Sequence, residues 1–144
     1  MTDVQSSIEI LRPSEAELHE LFSLAKAVFS DEPRWNDGRV LDALLSDVVF
    51  AAHERAQPAG YLALRPEENA PFVIEQVLVA PGHERRGVGH RLLEHAEGYA
   101  ISERAEALQI VVERDNRPAR SFYLRSGFVP VEDELFELVL PRFH

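Results

Sequence analysis

The run Glu84-Arg85-Arg86-Gly87-Val88-Gly89 places two arginines directly before two glycines spaced one residue apart. It follows an apolar, β-branched run, Val77-Leu78-Val79, that has the length and character of a buried strand. Ala80-Pro81-Gly82 closes that run, since proline cannot donate to a ladder and glycine accepts turn dihedrals. After the glycines, Val88, Leu92, Leu93, Ala96, Tyr99 and Ala100 recur at helical spacing. A strand, a glycine loop and a helix start together form an anion site. The N–H groups of the first turn have no intrahelical acceptor, and the aligned peptide dipoles add partial positive charge there. Glycine lets the main chain approach a phosphate with no Cβ in the way. The predicted contacts are the main chain of Arg85, Arg86, Gly87, Val88 and Gly89, with the two arginine side chains as supplementary charge. A Walker loop is excluded, because no Gly-Lys-Ser/Thr ends the run. A dinucleotide fingerprint is excluded too, because Leu92 stands where its third glycine belongs.

The elements that must position this loop follow from pattern and punctuation. Ile8 to Leu11 predicts a short strand closed by Pro13, and Ser14 with Glu17 forms a capping box that opens a helix. Leu18, Leu21, Phe22, Ala25 and Phe29 make the buried stripe of that helix, which ends near Ser30. A polar loop, Asp31 to Gly38, holds the only tryptophan, Trp35. A second helix spans Arg39 to Ser46 with Val40, Leu41, Leu44 and Leu45 inward. Val48 to His53 and Tyr61 to Leu64 form a hairpin around a turn at Gln57-Pro58-Ala59-Gly60. The central strand starts near Phe72, and a further buried strand runs from Leu108 to Val112. Asn116 caps a last helix that Gly127 ends, and Phe128 to Val131 and Leu135 to Leu140 close the chain as antiparallel strands. The order βααβββαβαββ predicts an α/β (α+β) fold, a mixed sheet of six to seven strands flanked by about four helices, in one domain over 1–144.

Composition narrows the function further. The formal charge of -10 excludes duplex nucleic acid as a partner and suits a cationic substrate. No apolar run is long enough to span a bilayer, and the polar N-terminus is unlike a signal peptide. With no cysteine, thiol nucleophiles and Cys-based metal sites are out, and the cytoplasm is the expected compartment. No histidine pair has zinc-site spacing, so no metal is expected.

The glycine loop resembles the pyrophosphate loop of the GNAT-superfamily N-acetyltransferases, whose pattern is Gln/Arg-x-x-Gly-x-Gly/Ala. Gly87 and Gly89 match it, whereas Glu84 stands at the first position in place of Gln or Arg. A second run, Asn-x-x-Ala-x-x-x-Tyr-x-x-x-Gly-Phe, is carried by Asn116, Ala119, Tyr123, Gly127 and Phe128 and resembles the motif after the fifth strand of the same superfamily. Both motifs occur in order with a strand between them, and the element order extends the likeness over the chain.

That resemblance implies acetyl transfer from acetyl-CoA to a primary amine, on a small molecule or a peptide, by direct attack in a ternary complex. It implies that free main-chain groups of Val77, Leu78 and Val79 grip the pantetheine where the central strand splays from the next. Tyr123 takes the role of acid toward the departing thiolate, since a phenol has a pKa near ~10. Its alternative is a core tyrosine on the helix face of Ala119, Phe122 and Ser126. Glu75 is the candidate base; by strand parity it shares a face with Val73, Val77 and Val79, with a salt-bridged glutamate as the alternative. Asn116 contacts the cofactor or only caps its helix. Asp31, Glu32, Trp35 and Asp37 fall where the superfamily shapes its acceptor pocket. Homodimers are common in the superfamily. A catalytically silent acyl-CoA-binding module would carry the same loop, and Glu84 is the residue that favours it.

Overall fold

Residues 7–29, 37–46 and 48–141 are described in a computed structural model of the chain. Ser30 and the Asp31, Glu32 and Trp35 group lie outside the described residues. Strand β1 (Ile8–Leu11) leads through Pro13 into helix α1 (Glu15–Phe29), followed by α2 (Asp37–Ser46). Strands β2 (Val48–Glu54), β3 (Gln57–Arg65) and β4 (Phe72–Val79) form a meander, and helix α3 (Val88–Ser102) then returns the chain to β5 (Ala107–Val111). Helix α4 (Arg117–Arg125) precedes β6 (Val129–Pro130) and β7 (Leu135–Val139). The capping box is present: the Glu17 N–H donates to Ser14 Oγ, and the Ser14 N–H donates to Glu17 Oε1, both at 3.3 Å.

The strands form one sheet in the order β1-β2-β3-β4-β5-β7-β6. All neighbours are antiparallel except β4 and β5, which are parallel and joined by the α3 crossover. Two apolar clusters lie on opposite faces. One holds α3, α4 and the middle strands around Leu62, Leu92, Leu108, Phe128 and Phe136. The other packs α1 and α2, through Leu21, Ala25, Val40 and Leu44, onto Tyr61, Ala63 and Leu78.

Local details differ from the pattern-based expectation, each for a physical reason. The β2–β3 turn is made by Arg55 and Ala56, both at positive φ, and not by Gln57 to Gly60. Gly60 lies within β3, paired with Val79, and must be glycine because a Cβ there would sit 2.2 Å from the Leu78 carbonyl oxygen. Asp37 and Gly38 belong to α2 and not to the preceding loop. In that helix only Val40 and Leu44 turn fully inward, while Leu41 and Leu45 are exposed. Val111, expected in a buried strand, is 65% exposed, since it lines an open cavity between the sheet and α1–α2.

Gly60 and Gly98 therefore respond oppositely to alanine. Gly60→Ala should lose at least about 1–3 kcal/mol, because the obstacle is strand backbone. Gly98→Ala, on the exposed side of α3 with nothing within 4 Å, should gain about 0.5–1 kcal/mol. Urea unfolding of both variants checks the pair; equal shifts would contradict it.

Candidate active site

The loop between β4 and α3 is shaped by backbone conformation before any side chain matters. The His83 N–H donates to the Ala80 carbonyl at 3.0 Å, closing a turn in which Gly82 has φ 89°. Gly87 is the N-cap of α3 at φ 86° and ψ 8°, left-handed values that exclude most other residues. The first closed helical bond runs from the Arg91 N–H to the Gly87 carbonyl, 3.0 Å, so the N–H groups of Val88, Gly89 and His90 precede the intrahelical ladder. Val88 is buried and pins the helix start to the core. At Gly89 an added Cβ would make only ordinary contacts with Phe122 and Val79, at 3.5–3.6 Å. Gly87 is thus glycine for its conformation, whereas Gly89 has no packing reason to be one.

The two arginines part company. Arg85, exposed and at φ 61°, lies on the solvent side of the loop. Arg86, expected to add charge at the anion site, instead folds back onto Glu54 at the end of β2, with Nε 2.7 Å from Oε2 and 2.9 Å from Oε1. His83 Nδ1 stands 2.7 Å from the same Oε1. Glu54 is the buried charged side chain of the described core, and the hydrogen bonds from Arg86 and His83 hold its carboxyl below the usual carboxylate range. Sequence reading passes over Glu54, whose one signal is a carboxylate ending an otherwise apolar strand. Glu84 is exposed.

Strands β4 and β5 pair only at Phe72↔Leu108 and Val73↔Gln109 and diverge beyond that point. The Ala80 N–H donates toward β3, to the Ala59 carbonyl at 2.7 Å. Strand alternation then directs the main-chain groups of Val77 and Val79 to the opposite, open side, while Leu78 faces β3. Of the three residues expected to offer free main-chain groups, Val77 and Val79 do so on this side and Leu78 does not. A cavity of about 430 Å³ fills the gap, lined by Glu75, Gln76 and Val77 of β4, by Ile110 to Glu113, by Asn116 and then Ala119 and Tyr123 of α4, and by α1–α2 at Phe29, Arg39, Val40 and Ala43.

Tyr123 reaches this cavity from α4 and is otherwise buried, edge-on to Phe122 and Phe128 with ring centroids 5.0 and 5.3 Å away. No described residue hydrogen-bonds its hydroxyl. Burial drives its pKa well above the ordinary phenol value, so it is held as a neutral O–H donor. Tyr61, which donates to Gln76 Oε1 at 2.7 Å, is raised for the same reason. Asn116 caps α4, its Oδ1 accepting from the Ala119 N–H at 3.3 Å, and also lines the cavity.

Glu75 departs from the parity expected of it. A bulge pairs Ala63 with Gln76 but Leu64 with Ile74, leaving Glu75 as the extra residue. Ile74 and Phe72 therefore share the core face with Val77 and Val79, and Glu75 does not. The Glu75 carboxylate lines the cavity and ion-pairs with Arg65, whose Nε also holds Glu67 at 2.8 Å. Glu113, at the far wall of the same cavity, is a second carboxylate that sequence reading misses; its signal is an acid just beyond a buried strand.

The glycine-capped start of α3 thus follows directly on a strand, β4, that pairs with its parallel neighbour at only two positions. The profile of the Acetyltransferase (GNAT) family matches residues 15–128, and the chain belongs to that family. An uncharacterized N-acetyltransferase of Bacillus subtilis, YhfO, is 30% identical over 86 residues, which are 56% of this chain and 58% of that protein. A streptothricin acetyltransferase of Streptomyces lavendulae is 40% identical over 60 residues, 42% of this chain and 32% of that one. These matches span less than two thirds of the relatives' own length. The crystal structure of PaiA N-acetyltransferase from Thermoplasma acidophilum, in complex with coenzyme A, superposes with a TM-score of 0.75 at 20% identity. The match covers 92% of this chain and 99% of that one. Among the described residues no helix is long and apolar enough to cross a membrane.

The two buried phenols make a pH prediction. Their folded pKa values lie above the unfolded value near ~10, so the stability they contribute is complete below about pH 10 and is lost as pH rises further. In an alkaline titration, Tyr61 and Tyr123 should ionise only together with loss of helical circular dichroism. Phenolate absorbance from either while the fold is intact would contradict their burial.

Proposed function

We propose that the chain is an acetyl-CoA-dependent N-acetyltransferase that acetylates a primary amine, on a small molecule or a peptide, by direct transfer in a ternary complex. The single observation that carries this reading is that one cavity joins the unpaired edge of β4 to Tyr123 and to two carboxylates. The residues fit the acyl donor. Gly87 and Gly89 leave main-chain donors uncovered at the start of α3, and Val77 and Val79 offer amides and carbonyls to a chain that itself carries amides. Bound acetyl-CoA supplies an activated acyl carbon.

The chain's own groups then do four things. The α3 N-terminus holds the pyrophosphate, with exposed Arg85 as its accessory charge. The free edge of β4 orients the pantetheine and presents an N–H toward the carbonyl oxygen, where negative charge grows. Glu75, steadied by Arg65, takes the proton from the acceptor's ammonium, directly or through water, and Glu113 adds to the field that favours a cation. Tyr123 donates a hydrogen bond to the departing sulfur. Burial holds its pKa above the ordinary phenol value, so the hydroxyl stays protonated and available to the sulfur as negative charge develops there. No cysteine is present for a covalent acyl-enzyme route, in keeping with direct attack.

Tyr123→Phe tests the reading. The ring and its edge-on contacts stay, so stability should change by no more than about 1 kcal/mol. Turnover of acetyl-CoA with an accepted amine should fall by roughly 10²–10³-fold, the cost of removing a donor aimed at developing charge. Binding of acetyl-CoA, followed by the rise in Tm it causes, should be retained. Turnover equal to that of the parent enzyme would remove Tyr123 from the chemistry. Acetyl-CoA binding with no thiol release across an amine panel would favour the silent module instead.

A further inference from the structure

The Glu54–Arg86–His83 cluster lies outside the cavity and has no part in the chemistry above. Glu54 is 2% exposed and sits within the sheet, in register with Ile8 of β1 and Gln57 of β3. Both of its partners come from the β4–α3 loop, 29 and 32 residues further along the chain. That loop has little packing of its own: Pro81, Gly82, Glu84, Arg85 and Gly87 are all exposed. It also carries strain, since Arg85 adopts a left-handed conformation at φ 61° without being glycine. A buried ion pair is a poor source of net stability, because desolvation offsets much of its attraction. What it supplies here is location. Two charge-assisted contacts from a rigid strand fix the side chains on either side of Arg85, and the main chain of Arg86 runs straight into the Gly87 cap.

We infer that Glu54 is a positioning residue for acyl-CoA binding: through His83 and Arg86 it fixes the loop whose amides receive the pyrophosphate. It also withholds the Arg86 side chain from the phosphates. The inference rests on the pyrophosphate role proposed for that loop. The Gln or Arg of the family pattern is replaced at the first loop position by Glu84, and the second arginine, Arg86, is tied to a strand. The anion site of this chain is therefore mainly main chain, and its affinity depends on how well the loop is held. A site of that kind is sensitive to small displacements of its donors.

A double-mutant cycle on coenzyme A affinity tests this, with Glu54→Gln, Arg86→Met and the two combined, all measured by calorimetry well below each variant's Tm. Each single change should raise the Kd about tenfold, and the double variant should be no weaker than Glu54→Gln alone, since the Glu54–Arg86 contact is already lost in that variant. Amide exchange of Arg85 to Gly89 without ligand should quicken in both single variants, while the β2 and β3 amides keep their protection. An Arg86 side chain that served as a phosphate ligand would give a different pattern. Arg86→Met would weaken binding while Glu54→Gln left it unchanged or tightened it, and the inference would fall. A lower Tm with unchanged Kd and unchanged loop exchange would also overturn it, leaving a structural ion pair only. Should a single variant not fold, the double variant, which buries no unpaired charge, still decides: its Kd rises if the loop is positioned from Glu54 and stays if not. Absence of coenzyme A binding by the parent chain would reject the proposed function itself, and the exchange measurement would still report whether Glu54 holds the loop.

Discussion

The separation of β4 from β5 is the constraint on which the rest of the site depends. Two parallel strands joined by a helical crossover would ordinarily pair along their whole length, and here the ladder stops after Val73. The bulge at Glu75 keeps β4 matched to β3 while altering its twist, so the strand turns with the meander and away from β5. Tyr123 and Ala119 of α4 line the space that opens, on the side of the main apolar cluster. An unpaired strand edge leaves main-chain hydrogen-bonding groups without ladder partners, at a cost in stability. Such a cost is tolerable where a ligand's own amides complete the ladder, the logic of strand addition applied to a small molecule.

Charge is arranged around that opening in two separate ways. At the helix start the attraction for an anion is built from peptide dipoles and glycine geometry, with one arginine tied back to the sheet. Across the cavity the carboxylates Glu75 and Glu113, within a chain of net charge -10, favour the opposite sign. Tyr123, kept neutral by burial, lines the same cavity without adding charge to it.

The element order was legible because each boundary carries its own chemistry, such as the Ser14–Glu17 box, the Asn116 cap and the left-handed Gly127. The motif glycines were legible for the same reason: Gly87 has a conformation that few residues adopt. What the sequence hid is long-range. Gln57-Pro58-Ala59-Gly60 has turn composition, yet Gly60 answers to the Leu78 carbonyl of another strand. Alternation along β4 placed Glu75 with Val77, but a bulge depends on the partner's register and has no local signature here. Arg86 and Arg85 are indistinguishable in composition; only a carboxylate 32 residues earlier separates their roles. Glu54 and Glu113 escaped notice because a single acid at a strand end is commonplace until its neighbours are known.

The most direct measurement of the central claim is residue-resolved amide exchange along β4 with and without coenzyme A. If the open edge of β4 grips the pantetheine, the Val77 and Val79 N–H groups should exchange faster than that of Leu78 in the free protein, and slow by at least about tenfold on saturation. Leu78, whose groups face β3, should change little. Protection confined to the Arg85–Gly89 loop, with Val77 and Val79 unaffected by bound coenzyme A, would contradict the account.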